Sequence, residues 1–225
     1  MKLSQEQIQQ IDRYITACGI EWIEVRAELV DHFANSLEEK LAINPTLDFT
    51  HAIVEEHKSF SDNGFKKLLE TKKAAVHKQF YHQVFINLKS FFKLPKIIIS
   101  IAVFYGLVLI MNLVNNKELF FMILAITLFL LVVQALVRTA IEKKSKNNNF
   151  LMLNRTELIF QLYNFLMIVF LQITQFRTEN SFQNANYNYL QLAIFVLLML
   201  FYWCMEYVYL ENKKYVQQNY PQFVS

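Results

Sequence analysis

The chain has 225 residues, of which 54% are hydrophobic and 18% are charged, with a formal net charge of +3 and only 3 Gly and 3 Pro. Sandwiches and barrels need more turn residues and disordered chains are more polar, so this composition indicates helices in apolar surroundings. Cys18 and Cys204 are the two cysteines, which excludes a disulfide framework and a four-thiolate metal site within one chain.

Residues 1–64 are predicted to form a helical head. Ser4 and Gln7 have the spacing of a capping box, and isoleucines then recur at helical intervals until Gly19. A second helix should end at Asn44, and a third should begin after Asp48. The second helix is predicted from one apolar stripe: Trp22, Val25, Leu29, Phe33, Leu37 and Leu41. The chain begins with polar residues, so we expect no cleaved signal peptide.

Residues 65–96 are predicted to form a basic amphipathic helix, here called the stem. The first 65 residues contain 5 Lys or Arg against 12 Asp or Glu, whereas residues 66–96 contain 8 against 1. Anionic lipid attracts juxtamembrane cations by about 1 kcal/mol each, so the stem is expected at the membrane surface. The open alternative is that its basic face folds back on the acidic head. Nucleic-acid binding is not expected, because phosphate would repel the head.

Four apolar stretches are each long enough to cross a hydrocarbon core of about 30 Å. They cover residues 97–114, 119–137, 158–176 and 190–209, and a tail of residues 210–225 follows. Lys and Arg concentrate before the first stretch, between the second and third, and after the fourth. By the positive-inside rule, both termini are cytosolic. The predicted fold is therefore all-α, with an N-terminal cytosolic helical bundle followed by a four-helix transmembrane bundle.

The second helix carries the densest set of polar side chains in the head. Glu24, Glu28, Asp31 and His32 are close together on it, and we interpret them as a protein-interaction surface. A metal site is the alternative, since Glu24, Glu28 and His32 share one face of the helix. The only complementary ligands would be these residues of the third helix: His51, Glu55 and His57.

No motif of an enzyme active site is present in the sequence. It contains neither a G-x-S-x-G nucleophile motif nor a glycine-rich phosphate-binding loop. We therefore expect no catalytic residues, no resident metal and no cofactor, and we predict that the protein is not an enzyme.

Amides form a stripe on the third apolar stretch. Gln161, Asn164, Gln172 and Gln175 recur at helical spacing and are predicted to pack inside the bundle or at an interface between helices. The alternative is that they line a hydrophilic path in a transporter or channel. Arg138 and Glu206 are expected at similar depths and could form an ion pair, although snorkelling alone would explain them.

Aromatic side chains mark both ends of the fourth apolar stretch. Tyr189 lies at one end, with Trp203 and Tyr207 toward the other. This spacing is typical of interfacial anchors, and a cage for a cationic ligand is the alternative.

A family resemblance is carried by part of the head. The residues concerned are the run EVRAELVDHF at 24–33, then Leu37-Glu38-Glu39, a third helix and Gly64. This pattern resembles the HAAS-type helical domains at the amino terminus of bacterial multi-pass membrane proteins. The resemblance implies a regulatory or signalling protein of the bacterial cytoplasmic (inner) membrane, a PadR-type regulator as partner, and no catalytic residues.

Together these features predict a regulatory, signalling or assembly subunit that acts through its head. Its expected partners are the lipid bilayer, a cytosolic or membrane protein, and further copies of itself in a homo-oligomer. The alternative is a component of a membrane transporter or channel.

Overall fold

The computed structural model describes residues 2–44, 46–59, 64–143, 150–154 and 156–220, and every regular element in these ranges is helical. In this part of the chain the α-helices are α1 (Gln5–Ala17), α2 (Ile23–Ile43), α3 (Phe49–Ser59), α4 (Gly64–Ser90), α5 (Lys96–Leu113), α6 (Lys117–Lys143), α7 (Gln161–Gln175), α8 (Glu179–Gln183) and α9 (Ala185–Asn219). The chain divides into two compact units. Unit 1 is Met1–Lys78 with Asn149–Leu151, and unit 2 is Gln79–Asn148 with Met152–Ser225.

The first helix of unit 1 begins and ends at residues suited to those positions. Ser4 Oγ accepts the Gln7 N–H at 3.2 Å, and Gln7 Oε1 accepts the Ser4 N–H at 2.9 Å. This capping box satisfies two backbone donors that the first turn leaves free. At the other end, Gly19 adopts φ +88, a conformation that favours glycine and stops the helix.

The core of unit 1 is formed by the apolar faces of its helices. The predicted α2 stripe is buried from Val25 to Leu41, Trp22 is half-buried at the N-cap, and Ile11 and Ile15 of α1 join this core with no exposed surface. Asp48 Oδ2 accepts the His51 N–H at 2.8 Å and so caps the start of α3, which adds Ala52 and Ile53 to this core. Residues 60–63, which follow α3 and include the apolar Phe60, lie outside the described residues.

Helix α4 contributes to both units, since residues 64–78 belong to unit 1 and residues 79–90 to unit 2. It ends at Ser90, before the predicted end of the stem at residue 96. The physical reason is Pro95, which lacks a backbone N–H and disfavours helical conformation in the residue before it. Pro95 is the N-cap of α5.

Among its described residues, unit 2 contains four helices that are long and apolar enough to cross a membrane. These candidate spans are Lys96–Leu113, Lys117–Ile141, Glu157–Gln175 and Ala185–Asn219. The prediction of an all-helical chain with four such helices is confirmed. The last helix is longer than predicted, because most of the expected tail continues α9, while residues 221–225 lie outside the described residues.

Large side chains fill the interior of unit 2. Tyr163 on α7 lies against Tyr202 on α9 with ring centroids 4.8 Å apart, and Phe170 lies 6.1 Å from Phe195 in the same two helices. Helix α6 contributes Phe121, Leu128 and Ala135, which are almost fully buried. Aromatic pairs of this kind bury large apolar areas, and they determine which face of α7 points inward.

Candidate functional site

Two carboxylates of the predicted interaction surface already have partners inside unit 1. Glu28 Oε2 lies 2.6 Å from Lys72 Nζ of α4, and both side chains are 38% exposed. Glu24 Oε2 accepts the Leu151 N–H at 3.0 Å. Leu151 comes from the connection between α6 and α7, and its side chain belongs to the core of unit 1. Glu24 and Glu28 are therefore both engaged in contacts within the unit.

Asp31 and His32 are placed differently from their two neighbours on α2. Both are exposed, and neither forms a side-chain hydrogen bond or ion pair with another described residue. Asn35 and Glu39 follow one and two turns later and are also exposed. The outward polar face of α2, defined by Asp31, His32, Asn35 and Glu39, is therefore free to meet a partner.

The structure does not bring together the residues that were considered as ligands of a metal site. Among the described residues, no group of three or more His, Cys, Asp or Glu is placed to hold a metal ion. His51 Nδ1 lies 3.7 Å from Glu55 Oε1 on the same helix. His57 Nδ1 is instead 2.7 Å from the Tyr14 hydroxyl, and its ring stacks on Phe65 with centroids 4.3 Å apart.

The basic stem contacts the acidic head through part of its length. Besides the Lys72 pair with Glu28, the Lys73 ammonium lies 5.8 Å from the centre of the Trp22 ring. Within unit 1 these contacts match the alternative in which the stem folds back on the head. Lys96 Nζ, in unit 2, donates to Ser90 Oγ at 3.1 Å and lies 5.1 Å from the centre of the Phe91 ring.

Three of the four amides of α7 are exposed in the single chain. The buried face of α7 consists of Tyr163, Met167, Phe170 and Thr174. Gln161, Gln172 and Gln175 are exposed, and Asn164 is half-buried. Gln161, Gln172 and Gln175 therefore lie away from the interior of the single chain, because aromatic and apolar side chains occupy the inward face of α7, whereas Asn164 is partly covered. The expectation of packing at an interface stays a prediction.

These outward amides lack partners in the part of the chain that the structure describes. None of the four forms a side-chain hydrogen bond with another described residue. An amide left unsatisfied in an apolar environment costs about 1–3 kcal/mol. Single-chain packing therefore leaves a polar face on a helix whose other exposed residues are apolar.

Arg138 and Glu206 form an ion pair, which was one of the two explanations considered for these residues. Arg138 Nη1 donates to Glu206 Oε2 at 3.0 Å, joining α6 to α9. The Glu206 side chain is 10% exposed, against 45% for Arg138. The guanidinium thus accompanies a carboxylate that is largely removed from solvent.

The three predicted interfacial anchors are outward-facing. Tyr189, Trp203 and Tyr207 on α9 are 41%, 51% and 52% exposed. At 1.5 Å rise per residue, Tyr189 is about 21 Å from Trp203 and about 27 Å from Tyr207 along the helix axis. The spacing from Tyr189 to Tyr207 is close to the thickness of a hydrocarbon core of about 30 Å, so these two residues suit anchors at two interfaces. They do not converge as the walls of a cage would.

Sequence reasoning missed a buried polar network where α7 ends and α9 begins. Arg177 Nη2 donates to Asn188 Oδ1 at 2.7 Å and to the Ser181 carbonyl at 2.6 Å, and Nη1 donates to Gln191 Oε1. Gln191 Nε2 continues the network to Thr174 Oγ1 at 2.7 Å. Burial lowers the pKa of the Arg177 guanidinium. A signal was present in the sequence, since Arg177 is followed by Asn188 and Gln191, two amides one turn apart near the start of α9.

Comparisons with known proteins found no relative of this chain. No protein-family model matches the chain. Searches of curated proteins and of solved structures also gave no match. The likeness to HAAS-type domains therefore rests on the residue pattern alone.

Proposed function

We propose that the chain is a non-catalytic membrane protein that acts as a regulatory, signalling or assembly subunit through its helical head. In this proposal it crosses the cytoplasmic membrane four times, with the head and both termini in the cytosol. The apolar helices and the cation-rich connections support the topology. The resemblance of residues 24–33 supports the bacterial source and a PadR-type partner.

The observation that carries the proposal is the anchoring of a membrane-helix connection in unit 1. Leu151 comes from the connection between α6 and α7. Its side chain is buried in the core beside α2 residues, and its backbone N–H donates a hydrogen bond to Glu24 Oε2 of α2. A protein that binds α2 would therefore act on the helix to which this connection is attached. Such an arrangement suits a subunit that relays partner binding to its membrane helices.

The partner surface in this proposal is the outward polar face of α2. Asp31 and His32 are its centre, because Glu24 and Glu28 are engaged internally. A partner with basic residues would complement Asp31 and Glu39. Anionic lipid remains the proposed partner of the stem lysines outside unit 1, which are Lys89, Lys93 and Lys96.

A matched pair of charge reversals tests this surface. Photo-crosslinking from Asn35 in the full-length chain, in cells, should capture a cytosolic protein, and Asp31→Lys should reduce that capture at least fivefold. Glu6→Lys, which reverses an exposed charge on α1, should leave it unchanged. Equal capture by both variants, or no capture by the parent chain, would contradict the proposal.

Transport is the competing function, and it receives less support. Within a single chain Gln161, Gln172 and Gln175 are exposed, and none of the four amides belongs to the buried face of α7. Purified protein in liposomes should therefore give no solute flux above that of empty liposomes. Flux that disappears in the Asn164→Leu, Gln172→Leu double variant at unchanged stability would favour transport instead.

A further inference from the structure

Helix α7 has a polar outward face with a regular repeat. Gln161, Ile168 and Gln175 recur every seven residues, and Asn164 and Gln172 fill the intervals at spacings of three and four. This is the pattern of a seam between two helices that cross at a small angle. The buried residues of α7 occupy a different face, so the seam is unused within one chain.

The depth of these amides makes contact with lipid unfavourable. By the rise of a helix, Asn164 lies about 3 Å from the middle of the Glu157–Gln175 span, and Gln172 lies about 9 Å from it. Backbone groups inside a helix are already bonded to each other, and acyl chains offer neither donors nor acceptors. The face therefore requires a covering partner that supplies hydrogen bonds at matching depths.

We propose that this partner is a second copy of the chain, packed in parallel about a two-fold axis along the membrane normal. Copies inserted by the same signals have the same orientation in the membrane. A two-fold axis along the membrane normal then places equivalent residues of the two copies at the same depth. Each amide of the seam then meets the same residue of the other copy. A carboxamide both donates and accepts, so identical amides satisfy each other, and the seam contains no charge that would repel its copy.

This dimer does not depend on the proposed function of the head. It uses α7 of unit 2 alone, and a head without any cytosolic partner would leave it intact.

Site-directed cross-linking in native membranes tests the seam. In a chain carrying Cys18→Ser and Cys204→Ala, Ile168→Cys places a thiol at the centre of the seam and leaves the four amides in place. Oxidation should give a disulfide-linked dimer that contains both of two co-expressed tags. Ile173→Cys is the matched control, since it is exposed on the same helix but about 140° away from the seam. It should give at most one fifth of that product.

The amides themselves are tested in the same background. Adding Asn164→Leu and Gln172→Leu to the Ile168→Cys chain should reduce cross-linking at least fivefold, whereas Val169→Leu with Ile173→Leu should not. Equal cross-linking at positions 168 and 173, or a product joining one copy to a different protein, would overturn the proposal. If the cysteine variants do not fold, native mass spectrometry of the unmodified chain decides, since it should show dimers that become monomers in the double-leucine variant.

Discussion

Glu56 is the clearest example of a buried charge that the head uses for stability. Its Oε2 accepts hydrogen bonds from Lys40 Nζ at 2.6 Å and from Ser36 Oγ at 2.7 Å. Burial alone would raise the pKa of Glu56. The bonds from Lys40, Ser36 and Ser59 and the charge of Lys40 outweigh burial, so the pKa lies below its ordinary value of 4.5.

This depressed pKa predicts a loss of stability in acid. The unfolded chain binds the proton more readily, so the contribution of Glu56 is complete above pH 4.5 and is lost as the pH falls through the lower folded pKa. Thermal unfolding of the full chain in detergent should therefore depend less steeply on pH between about 5 and 3 in Glu56→Gln. The neighbouring exposed Glu55→Gln is the control, and an equal change in both variants would argue against this role.

The pair of Arg138 and Glu206 predicts an unequal response to single and double substitution. Arg138→Ala leaves a largely buried carboxylate without its guanidinium, which we expect to cost about 1–3 kcal/mol of stability. Arg138→Ala with Glu206→Gln removes the charge as well and should be less destabilising. A double-mutant cycle by thermal unfolding measures the difference. Additive effects would show that the two side chains do not interact.

The contacts of Arg177 predict that a lysine cannot replace its guanidinium group. Lysine cannot supply the fork of donors that reaches Ser181, Asn188 and Gln191, so buried acceptors would lose their partners. Arg177→Lys should therefore destabilise the detergent-solubilised chain by about 2–4 kcal/mol, whereas Lys117→Ala should have little effect. A wild-type melting temperature for Arg177→Lys would show that charge alone suffices.

At the scale of elements, the attachment of the α6–α7 connection to unit 1 predicts communication through Leu151. Leu151→Ala leaves a cavity in the core beside α2 and should cost about 2–5 kcal/mol in unit 1. Hydrogen exchange of the α1 and α2 amides in the full chain should then become faster. Ile43→Ala, at a residue that is 86% exposed, is the control. Unchanged exchange in Leu151→Ala would remove the main support for the proposed relay.

Local signals were sufficient to predict most elements from the sequence. Ser4 and Gln7 identified the start of α1, and the apolar stripe of α2 identified both the helix and its buried face, because these patterns depend on neighbouring residues. The fold class and the four apolar helices followed from length and hydropathy for the same reason.

Contacts between distant residues could not be predicted in this way. The bond between Glu24 and Leu151 joins residues 127 positions apart, and no local pattern indicates it. On α7, periodicity separates an amide face from an aromatic face but does not say which one points inward. That choice depends on the rings of Tyr202 and Phe195 on α9. The proposed interaction surface is centred on Asp31 and His32, farther along α2 than Glu24 and Glu28, because Lys72 of the stem already engages Glu28.

At the scale of the whole molecule, we propose that the head, the α6–α7 connection and the carboxyl end of α9 lie in the cytosol. In this proposal the short connections between α5 and α6 and between α7 and α9 lie on the opposite side. Every functional proposal for the head depends on this topology, because a head outside the cell could not meet a cytosolic partner.

Cysteine labelling tests the topology most directly. Single cysteines are placed at Asn35, Asn115, Asn180 and Gln218, all exposed, in a chain with Cys18→Ser and Cys204→Ala. A membrane-impermeant maleimide should label positions 115 and 180 in intact cells, and positions 35 and 218 only after permeabilisation. Labelling of position 35 in intact cells would place the head outside the cytosol and contradict the account.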